Sequence, residues 1–194
     1  MEEFWFYIKL GLDHVLDFGA YDHILFLSAL AIPFTFKNWK KVLLLATVFT
    51  IFHCMSLALS VYEAMVINAS WIEFLIPVTI LLTALFNVLD IKKSIHQKSW
   101  LLQLLVTAFF GLIHGFGFSN YFKMLMAGKE QKGGPLLGFA SGIEISQVSI
   151  IVCILFLAYI MQSILKVKQS LFILISSVLI ILITIPMLIK TFPL

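Results

Sequence analysis

The sequence contains no arginine; all 13 of its basic residues are lysines. That argues against phosphate or nucleic-acid recognition, which favours the bidentate guanidinium fork. Charge of either sign is scarce. Charged residues make up 12% of the 194 positions, against about 25% in a soluble domain. Cysteine is scarcer still. Cys54 and Cys153 both lie inside apolar runs, which gives neither a disulfide framework nor a CxxC site and leaves each thiol to pack as a small hydrophobe. The N-terminal MEEFWFYIKLG begins acidic and has no basic n-region, so no signal peptide is expected and the apolar segments themselves would direct insertion.

What is abundant is apolar: 61% of the residues are hydrophobic and the mean hydropathy is +1.06. This is the composition of a polytopic membrane protein, an all-α bundle in the lipid bilayer. Six spans are expected, over residues 20–36, 40–62, 71–90, 99–118, 135–165 and 170–190. Each reaches or approaches the roughly 20 residues that cross the hydrocarbon core. Residues 4–17 are aromatic and amphipathic and read as an interfacial helix within the leading segment 1–19. The whole of 1–194 is expected to be one membrane-embedded domain without internal repeats. Residues 119–134 form the longest predicted loop, and their YFKMLMAG stretch is apolar enough to dip into the interface or to lie across the bundle as a lid.

Lysine placement predicts the orientation. Lys37, Lys40, Lys41, Lys92, Lys93, Lys98, Lys166 and Lys168 fall in three alternate loops, which would be cytoplasmic. Lys9, Lys123, Lys129, Lys132 and Lys190 fall on the other side. The bias places both termini outside the cytoplasm, in an inner (cytoplasmic) membrane.

Against this apolar background the titratable groups are concentrated. GLDHVLDFGAYDHILFLSAL, at the mouth of the first span, holds Asp13, His14, Asp17, Asp22 and His23. The second span carries a polar stripe of Thr47, Thr50, His53, Ser56 and Ser60 at spacings of three or four. The fourth carries Thr107, Gly111 and His114 on one face, with Gly115 and Gly117 beside them; such small residues let helices approach closely and leave room for an ion. The fifth carries Ser141, Glu144 and Gln147. Under the predicted alternation His23, His53, His114 and Glu144 fall in the outer half of the bilayer, between the surface and a depth of roughly 14 Å. Only His96 lies in a cytoplasmic loop.

Each of these residues also has a structural reading. His53 and His114 would serve as hydrogen-bonded core histidines, Asp22 as a helix N-cap, and Asp13 and Asp17 as solvated charges. An unpaired carboxylate such as Glu144 is costly inside an apolar segment and is harder to account for in that way. The coincidence in depth favours a joint reading. Imidazole and carboxylate together ligate zinc, nickel and other transition metals. The expected metal ligands are therefore His14, Asp22, His23, His53, His114 and Glu144. Asp17, Ser56 and Gln147 are flanking candidates, as ligands or as supports for ligands.

Two activities compete. A metal transporter needs a site that binds and releases the ion, and an inner exit; Asn87 and Asp90 are the only evident polar candidates in the inner halves. A zinc-dependent hydrolase opening to the outer leaflet needs three ligands and a metal-bound water, with Glu144 or Asp22 as general base. No HExxH element supports the second reading.

The ordered elements HVLDFGAYDHILFLSAL, FTIFHCMSLALS, FGLIHGFGF and GIEISQ resemble the signature of the HupE/UreJ membrane proteins, in a divergent branch. The resemblance implies a nickel permease or an accessory protein of hydrogenase and urease. Nickel or another divalent metal would then be the partner, together with accessory membrane proteins. It maps the family's histidine and Asp-His of the first helix onto His14, Asp22 and His23, and its later His-Gly element onto His114 and Gly115. On this resemblance transport takes precedence over hydrolysis.

Overall fold

The computed structural model describes residues 2–65, 67–91 and 99–193; the predicted loop residues Lys92, Lys93, His96 and Lys98 lie outside them. The described residues are all-helical. The helices are α1 (Glu2–Leu16), α2 (Asp22–Ala31), α3 (Trp39–Val61), α4 (Ala69–Leu89), α5 (Trp100–Leu125), α6 (Gly133–Tyr159) and α7 (Gln169–Lys190). A 3₁₀ turn at Phe36–Asn38 precedes α3 and a π turn at Ile160–Ile164 extends α6. Helices α3 to α7 are each long and apolar enough to cross a membrane. The chain is a multi-pass membrane protein.

The N-terminal helix and the first span come out differently from their predicted bounds. Helix α2 covers only Asp22–Ala31, about 15 Å of rise, which is too short to cross alone. Helix α1 lies along α6 in the same direction. Gly138 approaches Phe4 and Tyr7, Gly142 approaches Ile8 and Leu12, and the Ser146 hydroxyl donates to the Leu12 carbonyl at 3.3 Å. At the other end of α2, Asn87 Nδ2 donates to the Ala29 carbonyl at 2.7 Å, and Gln169 Nε2 donates to the Pro33 carbonyl at 3.1 Å. Thus α1 and α2 run one after the other beside the long helices, from the Glu3–Lys129 end to the Pro33–Gln169 end, as a broken pair that together matches one crossing in length. The break is built at Asp17–Tyr21, where Asp17 Oδ1 accepts the Gly19 N–H at 2.7 Å and stabilises a turn.

Close helix contact explains why glycine sits where it does. A Cβ at Gly142 would collide with the α1 backbone at Ile8, and one at Gly115 with Ser56 and the His53 carbonyl. The glycines beside His114 therefore bring α5 against α3; the room they leave is filled by the neighbouring helix.

The predicted 119–134 loop is a correction. Helix α5 continues through Leu125, with Phe122 fully buried, so YFKML is the last turn and a half of a span and no lid crosses the bundle. Residues 126–132 alone connect α5 to α6. At this end of the molecule Lys123 pairs with Glu63 at 2.9 Å, and Lys129 pairs with Glu3. The hydrogen bond and charge from Lys123 hold the Glu63 carboxyl below its usual range, and Glu3 raises the Lys129 ammonium above its own. The opposite end, bearing Lys37, Lys40 and Lys41, is the lysine-rich end below.

Candidate metal centre

Four histidines from four helices meet inside the bundle. His14 comes from α1, His23 from α2, His53 from α3 and His114 from α5. His23, His53 and His114 are almost completely buried. Ring centroids are 4.6 Å apart for His14 and His23, 5.6 Å for His14 and His53, 5.6 Å for His23 and His53, and 5.3 Å for His23 and His114. The helix break makes this possible. In a continuous helix residues nine positions apart stand about 13.5 Å apart along the axis; the Asp17–Tyr21 turn folds His14 onto His23.

Potential ligand atoms fall into two groups that share His23. In each of the sets His14–His23–His53 and Asp22–His23–His114 the ligand atoms lie within 4.8 Å of one another. The hydrogen bonds around two rings fix which nitrogen carries the proton. Asp22 Oδ1 lies 3.2 Å from His23 Nδ1. An ionised carboxylate only accepts, so Nδ1–H donates to it and Nε2 keeps its lone pair. Thr79 Oγ1 lies 2.9 Å from His114 Nε2 and gives its own proton to the Ile76 carbonyl at 2.7 Å. The threonine must therefore accept from His114 Nε2–H, which leaves Nδ1 with the lone pair.

These are the nitrogens without partners. His14 Nε2, His23 Nε2, both nitrogens of His53, and His114 Nδ1 are buried and make no hydrogen bond. Each such orphan costs about 1–3 kcal/mol, so five in one place is a large uncompensated penalty. Neutral imidazoles with one carboxylate suit a borderline divalent ion such as zinc or nickel, and suit calcium or magnesium poorly. The donor set fits a transition metal. The Asp22–His23 and Thr79–His114 pairs have the form of outer hydrogen bonds that orient metal-binding imidazoles.

Aromatic rings close the space on both sides. Toward the Glu63–Lys123 end, Phe118 stands 4.1 Å from His14 and stacks on Phe139 at 5.2 Å. Phe122 and Tyr7 back that pair. Toward the lysine-rich end, Phe26 stacks on Phe49 at 4.8 Å, lies 6.1 Å from Phe110, and stands 5.1 Å from His114.

The remaining predicted residues lie around this centre. Glu144 is in neither ligand group. Its oxygens accept from Thr47 Oγ1 at 2.5 Å and Thr50 Oγ1 at 2.6 Å, so the stripe predicted on the second span engages the carboxylate. Gln147 Oε1 is 3.2 Å from Thr50 Oγ1, and the Ser56 hydroxyl donates to the His53 carbonyl at 2.8 Å. Asp17 and Asp13 are exposed, Asp17 serving the turn. Asp22 heads α2, and its Oδ1 also accepts the His23 backbone N–H at 3.0 Å. Sequence reasoning missed Thr79 and the phenylalanine layers. The signal for Thr79 was weak: one hydroxyl two residues after Pro77 in an apolar helix.

No curated protein matches this chain, and no solved structure does. A family model described as HupE / UreJ protein matches residues 1–191, essentially the whole length, and the chain therefore belongs to the HupE/UreJ family of membrane proteins.

Proposed function

We propose that the protein transports a divalent transition-metal ion, nickel or a close relative, through a site formed by His14, His23, His53, His114 and Asp22. The observation that carries this reading is the convergence of five buried, unpartnered imidazole nitrogens from four helices. Family membership supports a role in metal handling. The aromatic surround favours a bare ion over a larger molecule as the cargo, and so favours transport over hydrolysis of a bulky substrate. Glu144, held by Thr47 and Thr50, supports the α3–α6 contact beside the centre. The lysine bias supports an inner-membrane location with the lysine-rich end in the cytoplasm.

The test is metal content and uptake. Protein purified without added metal is titrated with nickel, zinc and cobalt, and reconstituted vesicles are assayed for uptake. Wild type is expected to bind one ion per chain and to move it. His53→Ala and His114→Ala are expected to lose both properties while keeping their helical content. Wild type with no stoichiometric binding of any of the three ions would sink the reading.

A further inference from the structure

A cavity of about 720 Å³ lies between the metal centre and the lysine-rich end. It is lined by α2 and the residues just after it, the second half of α4, the first half of α5 and Leu45 of α3; it opens on one side, where Phe86, Leu89 and Leu102 are exposed, and it reaches Asp90 and Ser99 at the helix ends. Phe26 and Phe110 form its roof. Phe26 touches both compartments, since it lines the cavity and its ring centroid is 5.1 Å from His114. The partition between the histidines and the cavity is thus about one ring thick at this point.

The polar groups of the cavity are ordered along two helices. On α4 and at its C-terminal cap, Thr79, Thr83, Asn87 and Asp90 follow at spacings of four, four and three, which keeps them on one face. Thr79 holds His114, and Thr83 Oγ1 donates to the Thr79 carbonyl at 2.8 Å. From the N-cap of α5 onward, Ser99, Gln103 and Thr107 lead up to His114 at spacings of four, four and seven, again on one face. All six residues below the histidine level line the cavity. Two oxygen- and amide-bearing stripes therefore run from the metal centre to one end of the bundle, and both begin at the same ring. In lipid, polar side chains that face the bundle interior mark ion and substrate paths. The inner halves that look poor in ligands along the sequence have their few polar groups gathered in one place.

We infer that this cavity is a water-filled vestibule forming the lysine-rich half of the ion path, with Phe26 as the barrier between it and the histidine centre. The inference rests on the transport reading, and it adds a route and a gate. The vestibule offers hydroxyl and amide oxygens, with the Asp90 carboxyl at its far end, where the centre offers imidazole nitrogens. An ion leaving the histidines for the cavity passes from tight, dehydrated coordination to weak, hydrated contacts, as release requires. Phe26 sits on α2, the short helix after the break, one turn beyond His23, so a shift of α2 would move the barrier ring and a shared ligand together.

The test combines thiol accessibility with metal release. In a full-length Cys54→Ala, Cys153→Ala background, single cysteines are placed at Gln103 and Thr83 in the cavity. Leu105→Cys on the exposed, lipid-facing side of α5 is the comparison, and Lys40→Cys reports the lysine-rich face. Membrane vesicles are treated with an impermeant thiol reagent. Labelling goes through the thiolate, which apolar surroundings suppress, by about tenfold for each unit of pKa. Gln103→Cys and Thr83→Cys are expected to label from the same face as Lys40→Cys, about tenfold or more faster than Leu105→Cys. Labelling no faster than Leu105→Cys would mean a lipid-filled cavity and would overturn the inference, even if the protein binds and transports metal. In the second arm, purified Phe26→Ala and Phe26→Leu are loaded with nickel and challenged with a chelator. Both are expected to bind one ion and to release it about tenfold faster than wild type. Release at the wild-type rate from a variant that still binds would remove Phe26 as the barrier. Absence of binding in wild type would instead defeat the transport reading, while the labelling result would still decide whether the cavity holds water.

Discussion

At the scale of single residues, the proposed metal centre depends on the hydrogen-bond partners that hold its imidazoles. Thr79 has one proton, already given to the Ile76 carbonyl, and this fixes the tautomer of His114. Thr79→Val removes the acceptor, orphans His114 Nε2–H and frees the ring to turn. Loss of such an outer partner typically costs about 10–100-fold in metal affinity, so Thr79→Val is expected to weaken nickel or zinc binding by that factor, and Thr79→Ser to restore most of it. Direct titration of the purified variants measures both. Asp22→Asn is expected to act similarly on His23, since an amide beside Nδ1 can donate as well as accept and no longer dictates the tautomer. Unchanged affinity in both variants would remove the orienting role of these hydrogen bonds.

The histidines themselves were legible because ionisable residues are so rare in this chain that each one inside an apolar run stands out. Thr79 was not legible, because threonine in a membrane helix most often bonds to its own backbone, as Thr83 and Thr184 do here. Only the meeting of α4 and α5 distinguishes it from them. Glu144 was conspicuous for the same reason as the histidines. Its partners were in plain sight on the second span, yet nothing in one dimension says that Thr47 and Thr50 face α6.

At the scale of elements, two close contacts set the geometry. The pair α3–α5 approaches through Gly111 and Gly115, and the pair α1–α6 through Gly11, Gly138 and Gly142. Small residues let membrane helices pack backbone to backbone. Gly115→Leu is expected to force α5 away from α3, because even a Cβ there overlaps Ser56 and the His53 carbonyl. Overpacking of this kind typically costs about 1–3 kcal/mol. Thermal unfolding in detergent should show a lower midpoint together with loss of metal binding, since His53 and His114 ride on these two helices. Gly128→Ala, in the α5–α6 connection at φ +77° with open space around it, carries backbone strain but is expected to leave metal binding intact. The broken crossing is the other decisive element. The sequence separates residues 4–17 from a first span at 20–36, and length alone cannot say whether α1 lies on the surface or packs along the bundle. The glycines of α6 decide it by opening a groove for α1.

At the scale of the whole molecule, the described chain begins and ends at the same end of the bundle: Glu3 pairs with Lys129, and the Phe192 ring stands 5.4 Å from that of Phe74 near the start of α4. Small epitope tags at the two ends are expected to be accessible from the same face, opposite Lys40. Accessibility on opposite faces would contradict the counting of α1 and α2 as one crossing. The aromatic layers also belong to this scale. Phe118 and Phe139 close the centre on one side and Phe26 and Phe49 on the other, which makes the site an occluded compartment between two ends of a bundle.

The sequence by itself determined that this is a helical membrane protein and which scarce ionisable side chains interrupt its apolar segments. Those properties follow from composition and from a fixed rise per residue, and both can be read along a line. Only the tertiary structure decided which of those side chains share one space. It brought His14 into the centre, set Glu144 beside it with Thr47 and Thr50, gave His114 its partner in Thr79, and lined up the inner polar groups beneath Phe26. Such choices depend on the rotation of each helix about its own axis. In an almost uniformly apolar segment the hydrophobic pattern barely specifies that rotation, so the close glycine contacts and a few interhelical hydrogen bonds settle it.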